Sequence, residues 1–235
     1  MRRALLLTVL VLGVLPAAAS AESVKLLACV PALEGKGRSA AFEARVRPMR
    51  GSERMQVRFT LQVDEDLLGD WRRVAAPGFD NWLSSAPGVT RYSYTKTVQN
   101  LSAPAAYRMV VRFRWLDAGG DVLARSRTIS RPCRQPDMRP DLSPIRIDAV
   151  EGGYAVTLRN AGRTAAGPFA VTLDTGAEPL APLTVPALAA GARTVLTFAG
   201  PACAPGAALT ATVDAGLAVD ERDEQDNVLE APCVP

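Results

Sequence analysis

The sequence predicts an all-β protein of two β-sandwich domains in tandem behind a signal peptide. Three observations carry this reading. Apolar and polar residues alternate at period two over long stretches, the charge splits the chain into a basic and an acidic half, and the cysteines bracket those halves in pairs. With 48% hydrophobic and 22% charged residues in 235, the chain is built to fold. Histidine is absent, which excludes Ser-His-Asp and Cys-His nucleophile systems, His-ligated zinc and imidazole acid–base chemistry. The net charge of +3 is too close to balance for a dedicated nucleic-acid binder.

The chain opens on Met1, Arg2 and Arg3, followed over residues 4–15 by an uncharged apolar run too short to span a bilayer. Ala19, Ser20 and Ala21 then supply the small side chains of a cleavage site, so residues 1–21 read as a signal peptide and the product as secreted or cell-surface. No later stretch reads as a transmembrane segment. Leu26-Leu-Ala-Cys29 imitates a bacterial lipid-attachment site, but Glu22 and Lys25 separate it from the apolar run. In an oxidising compartment the even set Cys29, Cys133, Cys203 and Cys233 reads as two disulfides, with three pairings open. Cys29 with Cys133 and Cys203 with Cys233 is the choice that staples each half separately.

From residue 22 to 139 there are twenty Lys/Arg and twelve Asp/Glu, net +8; from 140 to 235 there are five and twelve, net −7. The change falls in a stretch where Pro132, Pro136 and Pro140 stiffen the chain, and residues 134–140 read as a linker between domains at 22–133 and 141–235.

In the first domain Met55, Val57, Phe59, Leu61 and Val63 alternate with Gln56, Arg58, Thr60 and Gln62, which places one strand face on a core. Phe42, Ala44 and Val46 alternate with Glu43, Arg45 and Arg47. Tyr107, Met109, Val111, Phe113 and Trp115 alternate mostly with arginines, and Asp117-Ala-Gly-Gly-Asp121 turns that strand into a hairpin over residues 107–129. Leu101, followed by Ser-Ala-Pro and six residues before Tyr107, resembles the corner of fibronectin type III domains. That resemblance implies an immunoglobulin-like sandwich over residues 22–135, with the Tyr107 hydroxyl bonded back to the preceding turn.

In the second domain Tyr154-Ala-Val-Thr-Leu-Arg-Asn160-Ala-Gly162, Pro168-Phe-Ala-Val-Thr-Leu173 and Thr194-Val-Leu-Thr-Phe198 read as strands, with a further one at residues 209–214. The chain then runs Val219-Asp-Glu221-Arg-Asp-Glu224-Gln-Asp226-Asn227. This order resembles the CARDB domain, a cell-adhesion-related module of bacterial exported proteins, over residues 140–235. Asp214, Glu221, Glu224 and Asn227 match its ending, and Asp226 stands where an asparagine is usual. The resemblance implies an immunoglobulin-like sandwich of about seven strands.

Three groups of residues invite chemistry. Asp214, Asp220, Glu221, Glu224 and Asp226 are the calcium candidates, since calcium takes hard oxygen ligands. Their spacing matches no EF-hand loop, and the favoured reading is that they cap turns; no cofactor is otherwise implied. Asp64, Glu65, Asp66 and Asp70 resemble a glycosidase carboxylate pair only in composition and read as an exposed turn. Arg58, Arg112, Arg114, Arg125 and Arg127 share the polar parity of strands that a sandwich brings into one sheet, a basic face suited to carboxylated or phosphorylated partners. The competing account is that exposed strands carry charge against edge pairing. Arg38 and Arg54 read as loop positions; for Trp71 and Trp82 two readings stand, sugar-stacking platforms and core plugs, the second being favoured because tryptophans in small sandwiches more often plug the core.

The function expected is therefore an exported, non-enzymatic binding or adhesion protein whose partner is a cell-surface polymer or protein and not a nucleic acid. An accessory or degenerate enzyme acting on cell-wall glycans through the acidic loops is the alternative from another class. A structural spacer is the third.

Overall fold

The structure is a computed structural model that describes residues 22–177, 179–204 and 206–233; the signal peptide read over residues 1–21 lies outside the described residues. The amino-terminal strands are β1 (Glu22–Val30), β2 (Ser39–Val46), β3 (Arg54–Asp64), β4 (Arg72–Arg73), β5 (Trp82–Ser84), β6 (Tyr92–Gln99), β7 (Ala105–Leu116), β8 (Val122–Ile129) and β9 (Cys133–Gln135). The carboxy-terminal strands are β10 (Leu142–Val150), β11 (Gly153–Asn160), β12 (Phe169–Asp174), β13 (Leu183–Val185), β14 (Arg193–Ala199), β15 (Ala208–Val213) and β16 (Val228–Pro232). Among the described residues no helix is long and apolar enough to cross a membrane.

Period-two alternation does in three dimensions what it promises. Met55, Val57, Phe59, Leu61 and Val63 of β3 are buried, as are Ala40, Phe42, Ala44 and Val46 of β2 and Met109, Val111, Phe113 and Trp115 of β7. They close one hydrophobic cluster between the sheet β1-β2-β6 and the sheet β4-β3-β7-β8, to which β5 and β9 add. Each Val, Leu, Phe or Met among them, moved from water to the core, contributes roughly 1.5–3 kcal/mol. The β7–β8 hairpin turns where Asp117 was expected to turn it, its Oδ1 accepting the Asp121 N–H at 2.8 Å. The corner is also present: Ser102 N donates to the Tyr107 hydroxyl at 2.9 Å.

A second cluster, around Tyr154, Leu158, Phe169, Leu173, Phe198 and Val213, lies between the sheet β10-β11-β14 and the sheet β13-β12-β15-β16. Pro144 has no N–H for the ladder, and β10 shifts register against β11 between Pro144 and Arg146. The fold is thus all-β and immunoglobulin-like, as the alternation and the resemblances imply. Cys29 is bridged to Cys133 and Cys203 to Cys233, the pairing that staples each half; no described cysteine is free.

The proline-rich stretch differs from the linker read at residues 134–140. Arg134 and Gln135 belong to β9 and pair with Ala106 and Ala105 of β7. Beyond Pro136 the chain is tied to the carboxy-terminal half: Thr164 Oγ1 donates to Met138 O at 2.8 Å, Arg163 N to Arg139 O at 3.2 Å and Arg222 N to Pro140 O at 2.8 Å. Gly162 makes this seating possible, because a Cβ there would lie 2.5 Å from Arg139 O and 2.6 Å from Asp141 N.

Candidate functional site

The register of β3, β7 and β8 decides where the arginines stand. Arg58 pairs with Arg112 and Arg112 with Arg127, making one row across three strands; Gln56, Arg114 and Arg125 make the next. Successive rows on one face lie about 6.8 Å apart along a strand and residues within a row about 5 Å apart. The sheet thus gathers Arg58, Arg112, Arg114, Arg125 and Arg127 on the face turned away from the core. Arg54 and Arg108 share that parity as well. Arg54 is the first residue of β3 and not a loop residue, a correction that follows from its pairing with Leu116. Arg38 does lie outside the strands, where its Nε donates to Ala32 O at 2.8 Å.

Trp71 and Trp82 are a second correction. Neither plugs the core; both are half-buried over the basic face. The Arg114 guanidinium sits 4.2 Å and that of Arg58 5.3 Å from the Trp82 ring centroid, and Arg108 sits 4.1 Å from that of Trp71. Such stacks contribute about 0.5–2 kcal/mol each and hold the indoles in place. Trp82 reaches the face because β5 extends the row, pairing with Arg58. Glutamines occupy the positions between: Gln62 Oε1 accepts from Arg108 Nε at 2.8 Å, and Gln56 Oε1 from Arg114 Nε.

Among the described residues, no ion pair involves any of the five arginines. Burial, then the nearby charge of Arg127, holds the Arg108 guanidinium below its ordinary value. A hollow of about 400 Å³ opens on the face, lined by Trp82, Arg112, Phe113, Arg125, Ser126 and Arg127.

The acidic residues are arranged otherwise. Asp214 is buried and left-handed (φ 48°), accepting the Ala218 and Val219 N–H groups at 3.0 and 2.8 Å. Glu221, also buried, accepts from Leu142 N and from Asn227 Nδ2, the latter at 3.2 Å. Glu224 accepts from Glu221 N and Asn227 Nδ2, both at 3.2 Å. Asp220 pairs with Arg139, and Arg222 with Asp141. Burial first, and then Glu224 and Asp214, pushes the Glu221 carboxyl up to about 7; burial, then Asp141 and Asp223, raises Asp226. Among the described residues no three His, Cys, Asp or Glu side chains converge into a metal-holding group.

The Asp64 to Asp70 turn is likewise used locally, Asp64 Oδ2 accepting Gly69 N at 3.1 Å and Glu65 pairing with Arg72. Asp64 itself is buried rather than exposed, closing β3. A hollow of about 580 Å³ lies at the junction of the halves, but its Arg139 is already engaged by Asp137 at 2.9 Å and Asp220 at 2.7 Å.

Residues 148–231 match the CARDB family model, inside the span over which the resemblance was read. No curated protein matches the chain. Among solved structures, a domain (residues 272–376) described as part of a cell surface protein of Methanosarcina acetivorans is 28% identical. It covers 40% of this chain and 90% of its own, with a TM-score of 0.37. Red sea bream transglutaminase is 11% identical over 93% of this chain and 32% of its own, with a TM-score of 0.35. The class 5 fimbriae chaperone CfaA is 11% identical over 91% of this chain and 100% of its own, with a TM-score of 0.28. The family matched is an adhesion-related module of a non-enzymatic kind, and two disulfides fit an oxidising, extracellular setting.

Proposed function

We propose that the chain is an exported, non-enzymatic binding protein of the bacterial cell surface, built of two domains at residues 22–133 and 141–235 with a proline-rich junction between them. The first domain presents the arginine face to an anionic surface polymer or protein; the second, with its CARDB match, is the adhesion-related module that carries it. One observation bears most of the weight. Arginines stand directly opposite one another across β3, β7 and β8 with no carboxylate partner among the described residues. Like charges facing across a ladder are destabilising, and an anionic partner relieves that repulsion by supplying the counter-charge.

The test is retention of the exported chain on an anionic matrix as salt is raised. Reversing Arg125→Glu and Arg127→Glu is expected to abolish retention at physiological salt, whereas Arg50→Glu with Arg91→Glu, exposed and outside the strands that carry the arginine rows, removes the same charge and leaves most of it. Equal losses for the two pairs would mean net charge alone is at work and would overturn the proposal.

A further inference from the structure

We infer that the hollow beside Trp82 is a subsite for one sugar unit carrying an oxyanion, a uronate, sulfate ester or phosphate, within an acidic glycan. The inference rests on the binding reading above and narrows it from a charged face to a ligand.

Three features of the hollow select that chemistry. Arg112, Arg125 and Arg127 reach it from two neighbouring strands, so their donors converge on one place instead of following a line. Guanidiniums in that arrangement match the planar, multidentate acceptors of carboxylate, sulfate and phosphate. The volume of about 400 Å³ exceeds what a lone oxyanion fills and suits a ring with its substituents. Phe113 and Ser126 complete the lining with the indole of Trp82, whose position is held by Arg58 and Arg114, so that ring is in place before any ligand arrives. A pyranose offers both halves of the match, since its C–H face covers an indole while its anionic substituent meets the arginines.

The guanidiniums divide accordingly. Arg58 and Arg114 are engaged with Trp82, and the Nε of Arg58 is buried without a hydrogen-bond partner. Arg125 and Arg127, exposed on β8, have no protein partner among the described residues and are free to grip the ligand. Among the described residues the Arg112 guanidinium hydrogen-bonds only to Thr60 Oγ1, at 3.5 Å.

Calorimetry of the full mature chain with short oligosaccharides tests this. The probes are a sulfated and a uronate oligosaccharide, their neutral counterpart of the same linkage, and inorganic sulfate and poly-glutamate as anions without a sugar. Expected is binding of the acidic oligosaccharides at least about tenfold tighter than the neutral sugar or the sugar-free anions, falling about tenfold or more in Arg127→Gln. Trp82→Phe, which keeps a ring but shrinks it, is expected to weaken the acidic sugars by roughly threefold to tenfold and leave poly-glutamate unchanged. If poly-glutamate binds as tightly as the glycans and ignores Trp82→Phe, the sugar subsite is overturned while the basic face stands. If none of the anions binds at low salt, both the subsite and the face are overturned. Circular dichroism of each variant separates loss of binding from loss of fold.

Discussion

The basic and acidic halves use their charges in opposite ways. In the amino-terminal half the arginines lie in rows on an outer sheet face, stacked on tryptophan or held by glutamine, and no carboxylate among the described residues meets the central five. In the carboxy-terminal half Asp214 and Glu221 turn inward, and together with the exposed Glu224 they accept main-chain N–H groups of their own loop and of β10. Net charges of +8 and −7 therefore say little about what each half offers a partner. The positive charge is presented; much of the negative charge is structural.

Breaking the staples is the largest perturbation of this contrast. On the chain-entropy model the bridge closing the separation of 104 contributes about 4.8 kcal/mol and that closing 30 about 3.7 kcal/mol. Denaturant unfolding of Cys29→Ala/Cys133→Ala and Cys203→Ala/Cys233→Ala should show the first pair losing more, each loss confined to its own transition. A single merged transition would mean the halves do not fold separately.

The next effect is one of pH. Glu221 is raised from an ordinary value of 4.5 to about 7, so the fold favours its neutral form. The stability associated with that preference is full below pH 4.5, declines as the pH rises toward 7 and is gone above it, a change of about 3 kcal/mol. The thermal midpoint of the carboxy-terminal half should fall across that window, and Glu221→Gln should flatten the profile. An unchanged profile would show that the carboxylate stays charged in place.

The smallest effect sharpens the contrast most. Asp214→Ala leaves two N–H groups without their acceptor and is expected to cost about 2 kcal/mol. Arg125→Gln with Arg127→Gln should change stability by no more than about 0.5 kcal/mol, and in the stabilising direction, since it relieves like charges across the ladder. A loss of the size seen for Asp214 would mean the arginines are structural after all.

The parts of this picture that were readable in advance are those governed by local periodicity. Alternation along residues 55–63 and 107–115 gives the strands and, through parity, which arginines share a face; the same parity includes Arg108, which the set of five leaves out. Leu101 and Tyr107 give the corner. Trp82 is misread as a core plug because β5 is only three residues long, too short to show a period, and only its pairing with β3 reveals which face it joins; Trp71 precedes the two-residue β4 and is placed on the face by its stack with Arg108. The bond from Leu142 N to Glu221 spans 79 positions, and no pattern along the chain announces it. Gly162 looked like part of a strand-ending turn, yet its role is to let residues 139–141 pass over it.

The two bridges also determine how the molecule carries tension. A pull between residues 22 and 233 travels from Cys29 directly to Cys133, along the 70 positions to Cys203 (203 minus 133), and then directly to Cys233. Besides the short lead from residue 22 to Cys29, only that middle stretch can be drawn out, to a full length of roughly 240 Å at about 3.4 Å per residue. Strands β3, β7 and β8 lie wholly inside the loop that the load bypasses. Under shear the junction and the carboxy-terminal sandwich yield first, and the arginine rows stay covalently shielded from the force.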